Sequence, residues 1–245
     1  MQITVIKTEL PEVAAFRLLF LQENDFQFVH NKCHLYGWAD TYLLLADGKR
    51  IGYAAVWGQE SREERDAVFE FYVIPAFRKA ANLIFPELLA VCGAPYIECQ
   101  SNDHLLSSML YEHAHHINAE AILFEEHYTT QLTVPDITFR RLPNATDTAD
   151  NAGGYVLERQ NELVADGGFM LNYNMPYADI YMNVMEGHRR QGLGSYIVQE
   201  LKREAYLMGR VPAARCNIRN QASKATLLKA GFRNCGVIMK GEVRR

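Results

Sequence analysis

The order of strand and helix signals in the first half of the chain recurs in the second. Val13, Phe16, Leu19 and Phe20 stand at helical spacing over residues 11–21, with Pro11 at a first-turn position. Apolar runs over 41–46 and 51–57 flank Asp47-Gly48, a β-hairpin pattern with a two- or four-residue loop. Residues 67–74 read as a strand stopped by Pro75, 78–91 as a helix, 96–100 as a strand and 105–114 as a short helix. Residues 121–124 and 127–134 are strand-like. The plan then repeats: a strand over 137–142, a polar loop over 144–154, and a hairpin of 155–158 with 163–169. A strand over 178–186 and an amphipathic helix over 193–208 follow, then a strand over 214–218. A helix over 222–230 ends at Gly231, and a last strand begins at Val237. Strands and helices interleaved in this way imply α/β layers, not a sandwich or a bundle. Two copies of one plan place a boundary near Pro135-Asp136 and predict domains over 1–134 and 135–245.

Composition allows two cores without requiring them. The chain has 245 residues, 49% of them apolar, which is enough for one large core or two smaller ones. Its net charge of −4 gives no general basic field for nucleic acid, so no nucleic-acid partner is expected. Five cysteines, an odd number with no CxxC pair, argue against a disulfide framework and fit a reducing cytoplasm. The first residues, Met1 to Glu9, carry no basic segment followed by an apolar one, and no window approaches the ~18 apolar residues of a membrane span. A cytoplasmic location with no membrane partner is therefore expected. His30 and His34 flank Cys33 at helical spacing, but no fourth ligand stands nearby, so no metal is expected. His113, His115 and His116 are read as solvent-exposed, and Cys216 as a small buried apolar residue.

The segment from Ala178 to Ser195 carries the chemistry. A strand runs into a loop, Gly187-His188-Arg189-Arg190-Gln191-Gly192-Leu193-Gly194-Ser195, that opens a long helix. Glycines let backbone N–H groups close on an anion, the helix N-terminus adds partial positive charge, and Arg189 and Arg190 add full charges. Together these suit a pyrophosphate. The third glycine of a dinucleotide fingerprint is missing, and no Gly-Lys-Ser/Thr of a P-loop follows. A lone Gly-x-Gly also serves as a tight helix-packing turn.

Val184, then Arg189, Gly192 and Gly194, resemble the Arg/Gln-x-x-Gly-x-Gly/Ala acyl-CoA signature of the GNAT acetyltransferase superfamily. Asn220-Gln221-Ala222-Ser223, with Lys229-Ala230-Gly231-Phe232 behind it, resembles the superfamily's second motif. In the first half, Val73, Pro75 and Arg78 match the same frame, but Ala81 and Leu83 replace the two loop glycines. The whole chain thus resembles tandem GNAT proteins with one degenerate copy. The resemblance implies a mixed α/β (α+β) fold of two GNAT-like domains, each a splayed mixed β-sheet flanked by helices. Residues 1–134 would be the degenerate domain without a cofactor site and 135–245 the acetyl-CoA-binding domain. In the latter, the pantetheine arm would enter between the strands Ile180–Glu186 and Ala214–Ile218. The cofactor residues implied are Met182, Val184, Arg189, Arg190, Gln191, Gly192, Leu193, Gly194, Ser195, Asn220 and Ser223.

The resemblance implies direct transfer of acetyl from acetyl-CoA to a primary amine on a small molecule or peptide, with no covalent enzyme intermediate and no metal. The backbone N–H of Val184 would hold the carbonyl oxygen as it gains charge. A base, or water leading to one, takes the amine proton, and the candidates are Glu186, Asp179 and Glu158, each also readable as a surface carboxylate. Two departures stand out. Leu227 occupies the position where many family members carry a proton-donating tyrosine, so that role is vacant or passes to Ser223 or water. This vacancy motivates the alternative of a non-catalytic acyl-CoA-binding sensor or scaffold. Between Leu142 and Tyr155 only 12 residues remain, too few for the helices that usually wall the acceptor site. The expectation is that the N-terminal domain helps to form that wall. The acceptor and the oligomeric state are not legible.

Overall fold

The computed structural model describes residues 1–23, 26–27, 31–59 and 61–244. Its contacts divide the chain into two compact units. The first takes in the described residues up to Glu120, except Gln27, together with Val237 onward; the second takes in Gln27 and Ala121–Gly236. No helix is long and apolar enough to cross a membrane.

In the first unit, β1 (Ile3–Thr8) pairs antiparallel with β2 (Ala39–Ala46), β2 with β3 (Lys49–Trp57), and β3 with β4 (Ala67–Val73). The β2–β3 loop is the two-residue form, because Ala46 pairs with Lys49 and both Asp47 and Gly48 have positive φ. β4 pairs parallel with β5 (Tyr96–Gln100). Helices α1 (Leu10–Glu23), α2 (Asn31–Leu35), α3 (Ala81–Cys92) and α4 (His104–His113) complete it. The core gathers Val56, Val68 and Phe71 from the strands with Ile84, Phe85, Leu88 and Leu106 from α3 and α4. Beside it lies a charged cluster. Glu70, only 1% exposed, accepts hydrogen bonds from Arg17 and from the Tyr53 hydroxyl (2.9 Å), and lies 3.0 Å from Nε2 of His34. Burial alone would push the Glu70 carboxyl up, but Arg17 and His34 outweigh it and hold the group well below the ordinary range.

The second unit repeats the plan. β7 (Thr138–Arg141), β8 (Asn151–Arg159), β9 (Glu162–Met170) and β10 (Tyr177–Val184) pair antiparallel in sequence order, and β10 pairs parallel with β11 (Val211–Asn217). Helix α5 (Leu193–Leu207) buries Leu193, Ile197, Leu201 and Ala205 of the stripe its periodicity predicts, together with Val198, whereas Met208 lies beyond its end and is exposed. Helix α6 (Gln221–Lys229) is capped by Asn220, whose side chain accepts from the Ser223 N–H at 3.0 Å.

The remaining strands, β6 (Ala114–Glu126) and β12 (Phe232–Val243), each contribute to both units. Residues 238–242 of β12 pair with β5 in the first unit, and residues 121–125 of β6 pair with β11 in the second. The predicted division at 134/135 therefore differs from the packing. A cut there would strip β12 from β5 and β6 from β11.

Residues 127–134, predicted as a strand, form none. Gln199 of α5 donates to the Leu132 carbonyl (3.1 Å) and accepts from its N–H (2.6 Å), and Lys202 donates to the Tyr128 carbonyl (2.8 Å). Side chains of α5 thus satisfy backbone groups that a neighbouring strand would otherwise take.

Candidate active site

The parallel ladder between β10 and β11 runs from Tyr177–Val211 to Asp179–Ala213 and goes no further. β10 continues to Val184 and β11 to Asn217, so the two strands splay as the family resemblance implies. The gap opens into a cleft of about 620 Å³ between β10, the loop before α5, and the start of α6.

Met182, Val184, Arg189, Arg190, Gly192, Leu193, Gly194, Ser195, Asn220 and Ser223 all line this cleft, so ten of the eleven expected cofactor residues come together. Gln191 does not line it; its exposed side chain accepts from Arg159 at 2.7 Å. Asn183, Ala222 and Thr226 line the cleft without having been singled out in the sequence. β10 ends at Val184, and Glu186–His188 form a 3-10 turn. The loop then passes through positive φ at Arg190 (63°) and Gly192 (83°) into α5. α5 has no side-chain cap, so its first N–H groups are left for another acceptor. A Cβ on Gly192 would meet nothing nearer than Nζ of Lys229 and Cγ2 of Val134, both at 3.9 Å, so the space above the loop is open. At Gly194 a Cβ would come within 3.1 Å of Thr226 Cγ2, so that glycine also serves the packing of α5 on α6. Arg189 donates through Nε to the Val184 carbonyl (3.2 Å), and its other nitrogens make no bond among the described residues. A loop with unpaired N–H groups at a helix start, flanked by Arg189, Arg190 and Lys229, favours a multiply charged anion.

A second cavity, of about 210 Å³, shares Met182 and Ser223 with the cleft and adds Asp179, Ile180, Tyr181, Val198, Arg215 and Leu227. Ile180 and Met182 face the core under α5, whereas Asp179 and Tyr181 alternate to the other face of the strand. The cavity therefore passes through the sheet at the splay. Of the three candidate carboxylates only Asp179 borders it; the group is 2% exposed, with Nε of Arg215 at 3.3 Å. Glu186 lies beyond the end of β10, exposed in the 3-10 turn and outside both cavities, which corrects its expected place on the strand. Glu158 is engaged by Arg140 at 2.8 and 2.5 Å, and that hydrogen bonding holds its carboxyl below the ordinary range, a poor setting for a base. Leu227 borders the cavity at 4% exposure and offers no proton; Tyr181 and Ser223 are the hydroxyl-bearing residues there. Burial pushes the Cys216 thiol up, in keeping with its expected apolar role.

The first unit holds the counterpart. β4 and β5 pair only at Ala67–Tyr96 and Val68–Ile97, and a cavity of about 380 Å³ lies among Phe20, Glu23, Tyr72, Arg78, Asp103 and His104. Arg78 donates through Nε to the Val73 carbonyl (2.9 Å), the same anchor that Arg189 makes five residues beyond Val184. Here, however, Nη2 of Arg78 is paired with Glu23, whose carboxylate also accepts from the Tyr72 hydroxyl at 2.6 Å. The approach to α3 is a 3-10 turn, Pro75–Ala80, continued by Ala80 (φ −96°) and Ala81 (φ −53°), with no positive φ. Burial pushes the Asp103 carboxyl, at the cap of α4, up to about 7.

Of the histidines considered as ligands, His30 lies outside the described residues and His34 is taken by Glu70. His115 and His116 are exposed beside Glu242.

The model of the acetyltransferase (GNAT) family matches residues 117–232. Comparison with curated proteins finds no match. Among solved structures, the chain is similar to an acetyltransferase from GNAT family from Colwellia psychrerythraea (TM-score 0.76, 14% identity, 100% of each chain covered). It is similar to a GCN5-related N-acetyltransferase from Sphaerobacter thermophilus (TM-score 0.64, 13% identity, 99% of this chain and 96% of that one). It also resembles a tandem GNAT protein from the clavulanic acid biosynthesis pathway (TM-score 0.63, 11% identity, 100% and 99% covered). At these identities the likeness establishes the fold.

Proposed function

Residues 117–232 belong to the acetyltransferase (GNAT) family, and on that premise we propose that the chain is an N-acetyltransferase that binds acetyl-CoA in the second unit and passes acetyl to a primary amine. The observation that carries this reading is the open splay between β10 and β11, headed by an uncapped helix start with positive φ at Arg190 and Gly192. The N–H groups of Leu193, Gly194 and Ser195, with Arg189, Arg190 and Lys229, would hold the pyrophosphate. Asn220 and Ser223 border the same cleft, and the arm would run along Met182 and Val184 toward the cavity at the splay.

The amine nitrogen forms a bond to the thioester carbonyl carbon while the C–S bond breaks and its electron pair leaves on sulfur. The proton lost by nitrogen ends, by way of solvent, on the released thiol. The Val184 N–H is the assigned donor to the carbonyl oxygen. Arg215 holds Asp179 at the border of the splay cavity, where its carboxylate is placed to orient the amine or a water. Leu227 leaves reprotonation of the thiolate to Tyr181, Ser223 or solvent.

One CoA binds per chain. In the first unit Glu23 occupies Arg78, the loop lacks positive φ, and Leu83 stands where Gly194 stands in the second.

Calorimetry with CoA, followed by thiol release from acetyl-CoA with a panel of amines, tests the proposal. Binding with no turnover on any amine would instead make the chain a non-catalytic acyl-CoA-binding module. Absence of binding would remove the basis of both.

A further inference from the structure

A third cavity, of about 410 Å³, lies in the second unit between the 142–154 segment and Tyr181. Tyr181 borders both this cavity and the one at the splay, which in turn shares Met182 and Ser223 with the cleft. The three form a chain from the helix side of the sheet, through the gap between β10 and β11, to its other face. Tyr181 is seated there by two glycines. A Cβ on Gly153 would lie 2.7 Å from the Tyr181 hydroxyl oxygen, and one on Gly168 2.6 Å from it. The phenol therefore lies flat on the β8–β9 hairpin only because neither position carries a side chain, and its hydroxyl approaches Oδ1 of Asn151 at 3.4 Å.

The walls are neutral. Asn144, Thr146, Thr148 and Asn151 supply the polar side chains, and none of the residues bordering the cavity is charged. Asn144 and Thr146 are exposed and make no side-chain hydrogen bond among the described residues, so their donors and acceptors are available to a ligand. Arg141 and Asp147 beside the cavity are paired with each other, so a carboxylate or a second ammonium placed here would meet no free counter-charge. A hydroxyl, which both gives and accepts a hydrogen bond, matches Asn and Thr side chains.

Resting on the acetyl-transfer reading above, we propose that this cavity is the acceptor pocket and that it takes a primary amine whose other polar groups are uncharged hydroxyls. The short segment that leaves no room for helices thus supplies an acceptor wall of its own.

The test uses the full chain. CoA is first titrated by calorimetry, then D-glucosamine onto the CoA-loaded protein. Thiol release is next measured with D-glucosamine, spermidine and glycine. The expected result is that kcat/KM for D-glucosamine exceeds that for spermidine and for glycine at least ten-fold. Asn144→Ala and Thr146→Val, both at exposed positions, should each raise KM for D-glucosamine several-fold and leave CoA affinity unchanged. Preference for spermidine or glycine would overturn the pocket's assignment while leaving acetyl transfer standing. So would an unaltered KM in both variants, or no binding of D-glucosamine to CoA-loaded protein. Failure to bind CoA, or to acetylate any amine, would overturn the underlying reading and this inference with it.

Discussion

Asp103 and Asn220 cap corresponding helices, and exchanging their chemistry should separate the two units. Asp103 is 6% exposed, its side chain accepts from the Leu106 N–H at 3.0 Å, and burial raises its carboxyl from 3.8 to about 7. Below pH 3.8 the group is protonated in both folded and unfolded chains and has no effect on the pH dependence. Between 3.8 and about 7 only the unfolded chain ionises, so the folded state binds more protons and stability falls as pH rises. A shift of 7 − 3.8 ≈ 3 units, at about 1.4 kcal/mol each, gives a penalty on the order of 4 kcal/mol that is complete above pH 7. Asp103→Asn keeps an acceptor oxygen for the Leu106 N–H and cannot ionise. In urea unfolding from pH 4 to pH 8, the stability of the variant relative to the parent should therefore climb steadily and level off above pH 7. Glu70, held below its ordinary range, contributes the opposite slope, lost as pH falls; it is common to both proteins and cancels in the difference. A difference that stays flat with pH would refute the reasoning, because Asp103 would then titrate as it does in the unfolded chain.

The reverse exchange, Asn220→Asp, places a negative charge at the border of the cleft and should weaken CoA binding about ten-fold by calorimetry, with the α6 cap preserved. Gly192→Leu forces a side chain into φ 83° and into open cleft space; it should lower stability by about 1 kcal/mol and abolish CoA binding, and an unchanged affinity would undo the phosphate assignment. Asp179→Asn should reduce turnover by roughly 10²–10⁴ with CoA affinity retained, whereas Glu186→Gln, exposed and outside both cavities, should leave the rate near normal. A fragment of residues 135–245 lacks the β6 strand on β11 and should fail to give a cooperative melt; a soluble, fully active fragment would show that β6 is dispensable. Calorimetry on the full chain should return one CoA, and two would overturn the assignment of the first unit.

What was legible in the sequence depended on local rules. Asp47-Gly48 closes a hairpin because both residues accept positive φ, and the stripe of α5 is buried because its period matches a helix. The loop before α5 was legible because a strand, paired glycines and a helix follow in unbroken order. Failures came where distant groups decide. Nothing within 127–134 announces that Gln199 and Lys202, some 70 residues on, will take its carbonyls. The sharing of β6 and β12 between units is a choice of partner, which hydrophobic pattern does not encode. Glu186 was expected on the strand because the apolar run reaches Met185, yet the 3-10 turn begins at Glu186 itself. Thr226 stands three residues beyond Ser223, and that helical spacing could have placed it on the cleft side of α6. From the sequence Tyr181 reads either as lining for an acceptor pocket, with Tyr173 and Tyr177, or as an ordinary strand tyrosine; Gly153 and Gly168, which seat it, lie on two other strands.

The two arginines show how one plan yields two outcomes. Arg78 and Arg189 each fix Nε on the carbonyl of the residue five positions earlier, so the backbone aims both guanidinium groups alike. Their remaining donors meet different company. In the second unit they border an open cleft at a helix start without a side-chain cap; in the first they meet the protein's own Glu23 carboxylate. That carboxylate satisfies Arg78 without an external ligand, and it would repel a phosphate competing for the same donors. Removing that carboxylate alone would not recreate a cradle, since the turn over Pro75–Ala80 never enters positive φ and Leu83 replaces the second glycine. Charge and backbone both differ between the two units, and either difference by itself disfavours a pyrophosphate in the first.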